Sequence, residues 1–182
     1  MRALSHLLAA GWLVLAAASA HAAPPAGVAA AGQPMPDICF TDARGKPACL
    51  SQWRGRVVLL NLWATWCAPC RQEMPQLDRV QARLGGRDFE VLALSMDKRG
   101  APAVRNFYER TGVRALAVYV DEQVRATEAL AARGIPVSLL IDRQGRVVER
   151  ISGPVDWSDA ARLASIQHLI AASGDTKQGD TP

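Results

Sequence analysis

Paired metal ligands are what this chain most conspicuously lacks. Its 182 residues hold three histidines and four cysteines, and no second Cys or His pair stands at knuckle spacing from Cys67 and Cys70. A structural zinc site draws on four such ligands, so that use of the two cysteines is excluded. Charge of one sign is lacking too. The formal net charge is +4, the signs are interleaved, and no nucleic-acid partner is implied. There is no internal repeat. No apolar run reaches the roughly 20 residues of a comfortable membrane span; the longest candidate, Leu7 to Ala18, is short and Ala-rich.

That run is nevertheless informative, because Arg2 precedes it and the small-residue patch Ala20-His21-Ala22 follows it. Charged, apolar, then small is the order of a secretory signal. We expect residues 1–22 to be a signal peptide cut after Ala22, with an uncleaved anchor as the weaker alternative. Residues 23–35, rich in Ala, Pro and Gly, read as a flexible lead-in, and residues 174–182 as a polar, disordered tail. Between them, residues 36–173 suit one domain with a sizeable core. The location expected is the periplasm.

The stretch Trp66-Cys67-Ala68-Pro69-Cys70 lies where the apolar run Val57 to Trp63 hands over to the amphipathic run Met74, Leu77, Val80, Leu84. A strand that delivers Cys-x-x-Cys to the first turn of a helix gives the first thiol unpaired N–H groups and the positive end of the helix dipole. Both favour thiolate over thiol. The thiolate is the attacking species in disulfide exchange, and a second thiol one turn on releases what the first has captured. Cys67 is therefore expected to be the nucleophile and Cys70 the resolving thiol. Pro69 suits the helix start, where N–H groups are unpaired anyway, while Pro75 falls inside the helix and is expected to bend it.

Along the chain, Asp37 to Phe40 and Pro47 to Leu50 flank a turn, and Val57 to Trp63 reads as a buried strand because it is apolar without alternation. The Cys-bearing helix stops at Gly85-Gly86. Phe89 to Met96 is the next strand; Val104, Phe107 and Tyr108 mark a helix ending at Gly112; Leu116 to Val120 is a strand. A helix from Arg125 to Arg133 leads through Gly134 to Ile135-Pro136 and the strand Val137 to Ile141. Asp142 to Gly145 turns into Val147 to Ile151, and Asp156 or Ser158 caps a final helix, Asp159 to Ala172. Strands separated by helices imply an α/β fold, a central sheet with helices on both faces.

Asn61-Leu62-Trp63-Ala64-Thr65-Trp66-Cys67-Ala68-Pro69-Cys70-Arg71-Gln72-Glu73-Met74-Pro75 resembles the thioredoxin-fold reductases of the TlpA, ResA and CcmG group. Gly134-Ile135-Pro136 with Leu139 to Gly145 matches that group's second landmark. Ser95-Met96-Asp97 to Phe107-Tyr108, and Gly153-Pro154 to Trp157, are most similar to the TlpA branch. The resemblance spans about Pro36 to Ala172. It implies a thioredoxin-like fold with a central mixed β-sheet and an N-terminal β-hairpin. It also implies an extracytoplasmic thiol:disulfide reductase with no cofactor, fed electrons by a membrane protein of the CcdA or DsbD type. The clients implied are apocytochrome c or copper-site assembly proteins; a monomer is expected.

The resemblance sharpens three residues. Pro136 is similar to the cis proline that faces the disulfide in such folds, and only X–Pro bonds adopt cis readily. Glu73 follows Cys70 by three residues, on one helix face. Spacing alone leaves it equally a solvated surface Glu, whereas the family implies a functional carboxylate that raises the neighbouring thiol's pKa and shuttles its proton. Asn61 stands where thioredoxins proper carry a buried Asp, and an amide cannot act as a base.

Cys39 and Cys49 stand apart from the family pattern. With Gly45 in the left-handed position of a three-residue loop, Ala43-Arg44-Gly45, counting outward pairs Cys39 with Cys49. Pro47 has no N–H, so its pair with Thr41 is a non-hydrogen-bonded one, and alternation makes Cys39 and Cys49 another, close enough for a structural disulfide. A four-residue loop would break this register. A second redox pair and two free thiols are the alternatives. For Cys67 and Cys70 the alternatives to a reductase are a dithiol oxidase or isomerase, and a metal-binding chaperone lacking a third ligand. Ala68-Pro69 between the cysteines, with no histidine, favours the reductant.

Overall fold

The computed structural model describes residues 31–172. The expected signal peptide, the first part of the lead-in and the tail at 174–182 lie outside the described residues. Seven strands form one mixed sheet: β1 (Cys39–Asp42), β2 (Pro47–Cys49), β3 (Val57–Trp63), β4 (Phe89–Ser95), β5 (Tyr119–Val120), β6 (Val137–Ile141) and β7 (Val147–Ser152). Their order across the sheet is β2-β1-β5-β4-β3-β6-β7. β3, β4 and β5 run parallel, and β6, β7, β1 and β2 join by antiparallel pairing. The helices are α1 (Ala68–Leu84), α2 (Gly100–Thr111), α3 (Arg125–Ala129) and α4 (Ala160–Ala172).

β3 is central because all seven of its side chains are apolar or amide and all are buried. Its residues alternate between the two faces of the sheet. Leu59 pairs with Leu140, and Leu140 with Glu149, whose carboxylate meets Arg162 of α4. Asn61, two residues on, faces Glu73 of α1, so α1 and α4 share that face. The opposite face carries Leu60, Leu139 and Arg150 in register, and there Arg150 donates to the carbonyl of Leu130, just after α3. Helices thus lie on both faces, as expected. One face of α1 buries Cys70, Glu73, Met74, Leu77 and Val80, a helical spacing.

Several boundaries differ from the sequence expectation, each for a local reason. Gln33 to Met35, assigned to the lead-in, instead lie along the β6–β7 hairpin: Val147 N–H donates to Gln33 O and Met35 N–H to Gly145 O. β5 is only two residues long, because the N–H groups of Arg114, Ala115 and Leu116 all go to the Asp78 carboxylate on α1. The helix after Arg125 ends at Ala129, since Ala131 takes a left-handed backbone, φ 46°. Asp159, rather than Asp156 or Ser158, caps α4: its carboxylate accepts the Arg162 N–H at 2.9 Å. α1 runs on through Pro75 to Gly85, where a Cβ would sit 2.4 Å from Gln81 O. Close approach, not a left-handed turn, therefore favours glycine at that stop.

Candidate redox site

The site forms where β3 ends and α1 begins, at the carboxyl edge of the parallel strands. Cys67 is the N-cap of α1, with an extended backbone (φ −83°, ψ 107°), and its sulfur accepts the Cys70 N–H at 3.3 Å. Pro69 occupies the first turn and costs no hydrogen bond there. Cys67 and Cys70 form a disulfide with Cα atoms 5.3 Å apart. Cys67 Sγ lies 3.8 Å from Ile135 O, and the following bond, Ile135–Pro136, is cis. Two landmarks 69 residues apart in sequence therefore meet. Cys67 is 6% exposed and Cys70 not at all, which separates an outer from an inner sulfur.

Glu73 lies one turn beyond Cys70 and is buried, 2% exposed, so it is not a solvated surface residue. Burial pushes its carboxyl above the usual value, against the opposing pull of the Val155 N–H and of the Asn61 and Trp157 side chains. Only the first of these makes a hydrogen bond, Val155 N–H to Oε1 at 2.5 Å. Oε2 has no partner, nor has the Trp157 indole N–H, and the Asn61 amide N–H goes to Ser138 Oγ at 2.9 Å. Asn61 Oδ1 is also buried without a donor. A proton on Glu73 would convert one of two bare acceptors into a donor, which acts in the same direction as the rise that burial causes.

Other residues of the site gave no motif in the sequence. Asp97 is buried and accepts the Thr65 N–H at 2.8 Å, the Thr65 hydroxyl at 2.7 Å and the Ser95 hydroxyl at 2.7 Å. It thereby anchors the loop that carries Trp66 to Cys67. Gln76 accepts the Trp157 N–H at 2.7 Å, so the loop after β7 is fastened to α1 at two points one turn apart. Asp97 and Trp157 lie in the stretches Ser95-Met96-Asp97 and Gly153-Pro154 to Trp157 that resemble the TlpA branch, whereas nothing in the sequence pointed to Gln76. Trp66 is 67% exposed, an unusual placement for so large an apolar ring.

The hairpin expectation is met atom for atom: Cys39 pairs with Cys49, Phe40 with Ala48 and Thr41 with Pro47, and Gly45 has φ 78°. Cys39 and Cys49 are disulfide-bonded, with Cα atoms 4.0 Å apart. β1 then pairs with β5, which places this bridge at the far sheet edge from β7.

A cysteine pair at a helix start, facing a cis proline across a mixed sheet flanked by helices, defines a thioredoxin-fold protein of disulfide exchange. The Redoxin family model matches residues 30–166, and the chain belongs to that family. It is similar to the thiol-disulfide oxidoreductase ResA of Geobacillus kaustophilus (strain HTA426), 35% identical over 141 residues, 76% of this chain and 79% of that one. ResA of Bacillus thuringiensis (strain Al Hakam) is 34% identical over 122 residues, 67% and 69% of the two chains. Among solved structures, a thiol:disulfide interchange protein DsbE from Chlorobium tepidum superposes with a TM-score of 0.65 at 30% identity, covering 79% of this chain and 97% of its own. The protein is a thiol–disulfide oxidoreductase of the TlpA, ResA and CcmG type.

Proposed function

We propose that the protein works outside the cytoplasm, in the periplasm, as a reductase of client disulfides. The observation that carries this reading is the arrangement of an outer sulfur at a helix start, an inner sulfur one turn on, and a buried carboxyl on the inner sulfur's face. In the reduced protein, the Cys67 thiolate attacks one sulfur of a client disulfide and expels the other as thiolate, leaving a mixed disulfide. Glu73 takes the proton of Cys70. The Cys70 thiolate then attacks Cys67 Sγ, the client sulfur held in the mixed disulfide leaves as thiolate, and the Cys67–Cys70 disulfide forms. Two electrons pass from the dithiol to the client. Pro136 follows the Ile135 carbonyl, which lies 3.8 Å from Cys67 Sγ, and it has no N–H to offer beside the sulfur.

Resetting the dithiol requires a donor that carries electrons across the membrane, of the CcdA or DsbD type. Apocytochrome c or proteins that assemble respiratory copper sites are the clients, in keeping with the sequence resemblance. No helix among the described residues is long and apolar enough to cross a membrane, and export rests on the Arg2 to Ala22 pattern. The test is trapping. A Cys70→Ser variant in intact cells should accumulate a mixed disulfide through Cys67 with a Cys-bearing exported protein. Adducts that form equally with Cys67→Ser would overturn the assignment of roles, and adducts only with cytoplasmic proteins would overturn the location.

A further inference from the structure

Two open grooves beside the disulfide share Trp66 and Arg99; one holds Ile135, whose carbonyl lies 3.8 Å from Cys67 Sγ, and the other holds Arg71, whose N–H donates to Cys67 O. One, about 670 Å3, has Met96, Val124 and Ile135 in its floor and Lys98, Arg99 and Arg133 on its rim. The other, about 500 Å3, runs past Phe107 with Arg71, Arg99 and Arg110 around it. All five cations are exposed. The ion pairs among the described residues are Arg56–Glu90, Arg143–Asp88 and Arg162–Glu149, so none of the five is neutralised by a paired carboxylate. One carboxylate, Asp97, lines the first groove and none lines the second, and Asp97 is buried and occupied by Thr65 and Ser95. A chain whose formal net charge is only +4 therefore gathers five positive charges without a paired carboxylate in two grooves that meet at Trp66, the residue before Cys67.

Resting on the reductase reading, we infer that these grooves seat a client segment bearing acidic side chains on both sides of its reactive cysteine, with an apolar side chain against Trp66. The argument is charge complementarity. Exposed cations on a surface interrupted by apolar floor raise the local concentration of an acidic partner and speed encounter, by ten-fold to a thousand-fold at low ionic strength. Cations in both grooves, which meet at Trp66 beside Cys67, favour acidic residues on both sides of the client's cysteine. The exposed Trp66 ring supplies the contact area that fixes the client between the two charged arms.

The test uses the full mature chain, pre-reduced, and three peptides that each contain one disulfide within the same apolar sequence, flanked by Glu, by Gln or by Lys. The Glu peptide should be reduced at least tenfold faster than the Lys peptide at about 20 mM salt, with the Gln peptide between them. That ratio should collapse toward one near 1 M salt, where the Debye length is about 3 Å. Arg99→Glu combined with Arg133→Glu should invert the Glu-to-Lys ratio, read within each protein so that general losses cancel. Equal rates for the three peptides, or a faster Lys peptide in the unaltered protein, would overturn the proposal and leave the reductase reading standing. Reduction of none of the three would overturn that reading itself.

Discussion

Val155 donates its N–H to Glu73 Oε1 at 2.5 Å, joining the cysteine-bearing helix to the loop after β7 across 82 residues. One oxygen of the carboxyl is thereby held, and the other, Oε2, is buried with no donor. The half-satisfied state is what makes Glu73 useful. A fully solvated carboxylate would keep its charge at any pH above its ordinary value, and a fully bonded one would bind its proton only at still lower pH. Here burial raises the carboxyl, one turn from the thiol whose proton must go somewhere.

Glu73→Gln keeps an acceptor for Val155 and removes the titration. Reduction of a client disulfide at pH 7 should slow by about a hundredfold, the low end expected for loss of a general base, and the limb of the pH–rate profile due to Glu73 should disappear. Stability should move oppositely. A carboxyl raised in the folded state binds its proton more tightly there than in the unfolded chain. Its contribution is therefore fully present below 4.5, the ordinary value, and is lost as pH rises through the folded value. Denaturant unfolding at several pH values should find Glu73→Gln gaining on the native protein between pH 4 and pH 7. A constant difference across that range would sink the argument.

Alkylation of the reduced protein should strike Cys67 first. It is the sulfur at the helix start and the only one of the two with any exposure, 6% against 0%. Mass spectrometry after a brief pulse of iodoacetamide should find Cys67 modified at least about tenfold faster than Cys70, and at a pH where an ordinary cysteine is still largely thiol. Faster labelling of Cys70 would reverse their roles.

The parts of this molecule that were legible in the sequence are those set by local chemistry. Val57 to Trp63 could only be a buried strand, Gly45 and Pro47 fixed the hairpin register, and Pro69 marked the helix start. What was not legible depends on partners supplied from far away. Tyr119–Val120 is short because Asp78 takes the preceding N–H groups, and nothing between Leu116 and Val120 encodes that. Glu73 is buried because the segment from Pro154 to Trp157 closes over it, and helical spacing alone left its exposure undecided. The five cations of the two grooves come from α1, from the loop before α2, from α2 and from the loop before Pro136. Only the fold brings them together.

The hairpin bridge should behave as a structural disulfide. Closing the loop between Cys39 and Cys49, ten residues apart in sequence, is worth about 2 to 3 kcal/mol on the chain-entropy scale. Cys39→Ser with Cys49→Ser should lower unfolding stability by about that amount, measured in denaturant with the Cys67–Cys70 pair held oxidised. Non-reducing peptide mapping should recover the 39–49 bridge intact under reductant mild enough to open Cys67–Cys70. Opening of the hairpin bridge first would mark it as a second redox pair instead.

The last expectation concerns the direction of electron flow. An imidazolium between the two cysteines would stabilise the Cys67 thiolate, and with it the reduced protein, making the couple an oxidant. Ala68 and Pro69 stand there instead, and both are exposed, with no charge to offer. On the inner side, Glu73 is buried beside the helix turn that holds Cys70, so a second negative charge there meets repulsion rather than relief. The reduced form therefore gains little beyond what the helix start gives Cys67. The couple should lie nearer the about −270 mV of thioredoxin than the about −120 mV of DsbA. If the protein works outside the cytoplasm as proposed, such a potential would place the dithiol on the donor side of most disulfides it meets there and would call for a supply of electrons across the membrane. Equilibration of the purified domain with glutathione of known poise measures it directly. A value at or above about −150 mV would identify an oxidase, and Glu73→Gln should then leave it unmoved, whereas for a reductant tuned by Glu73 the same substitution should make the potential more positive.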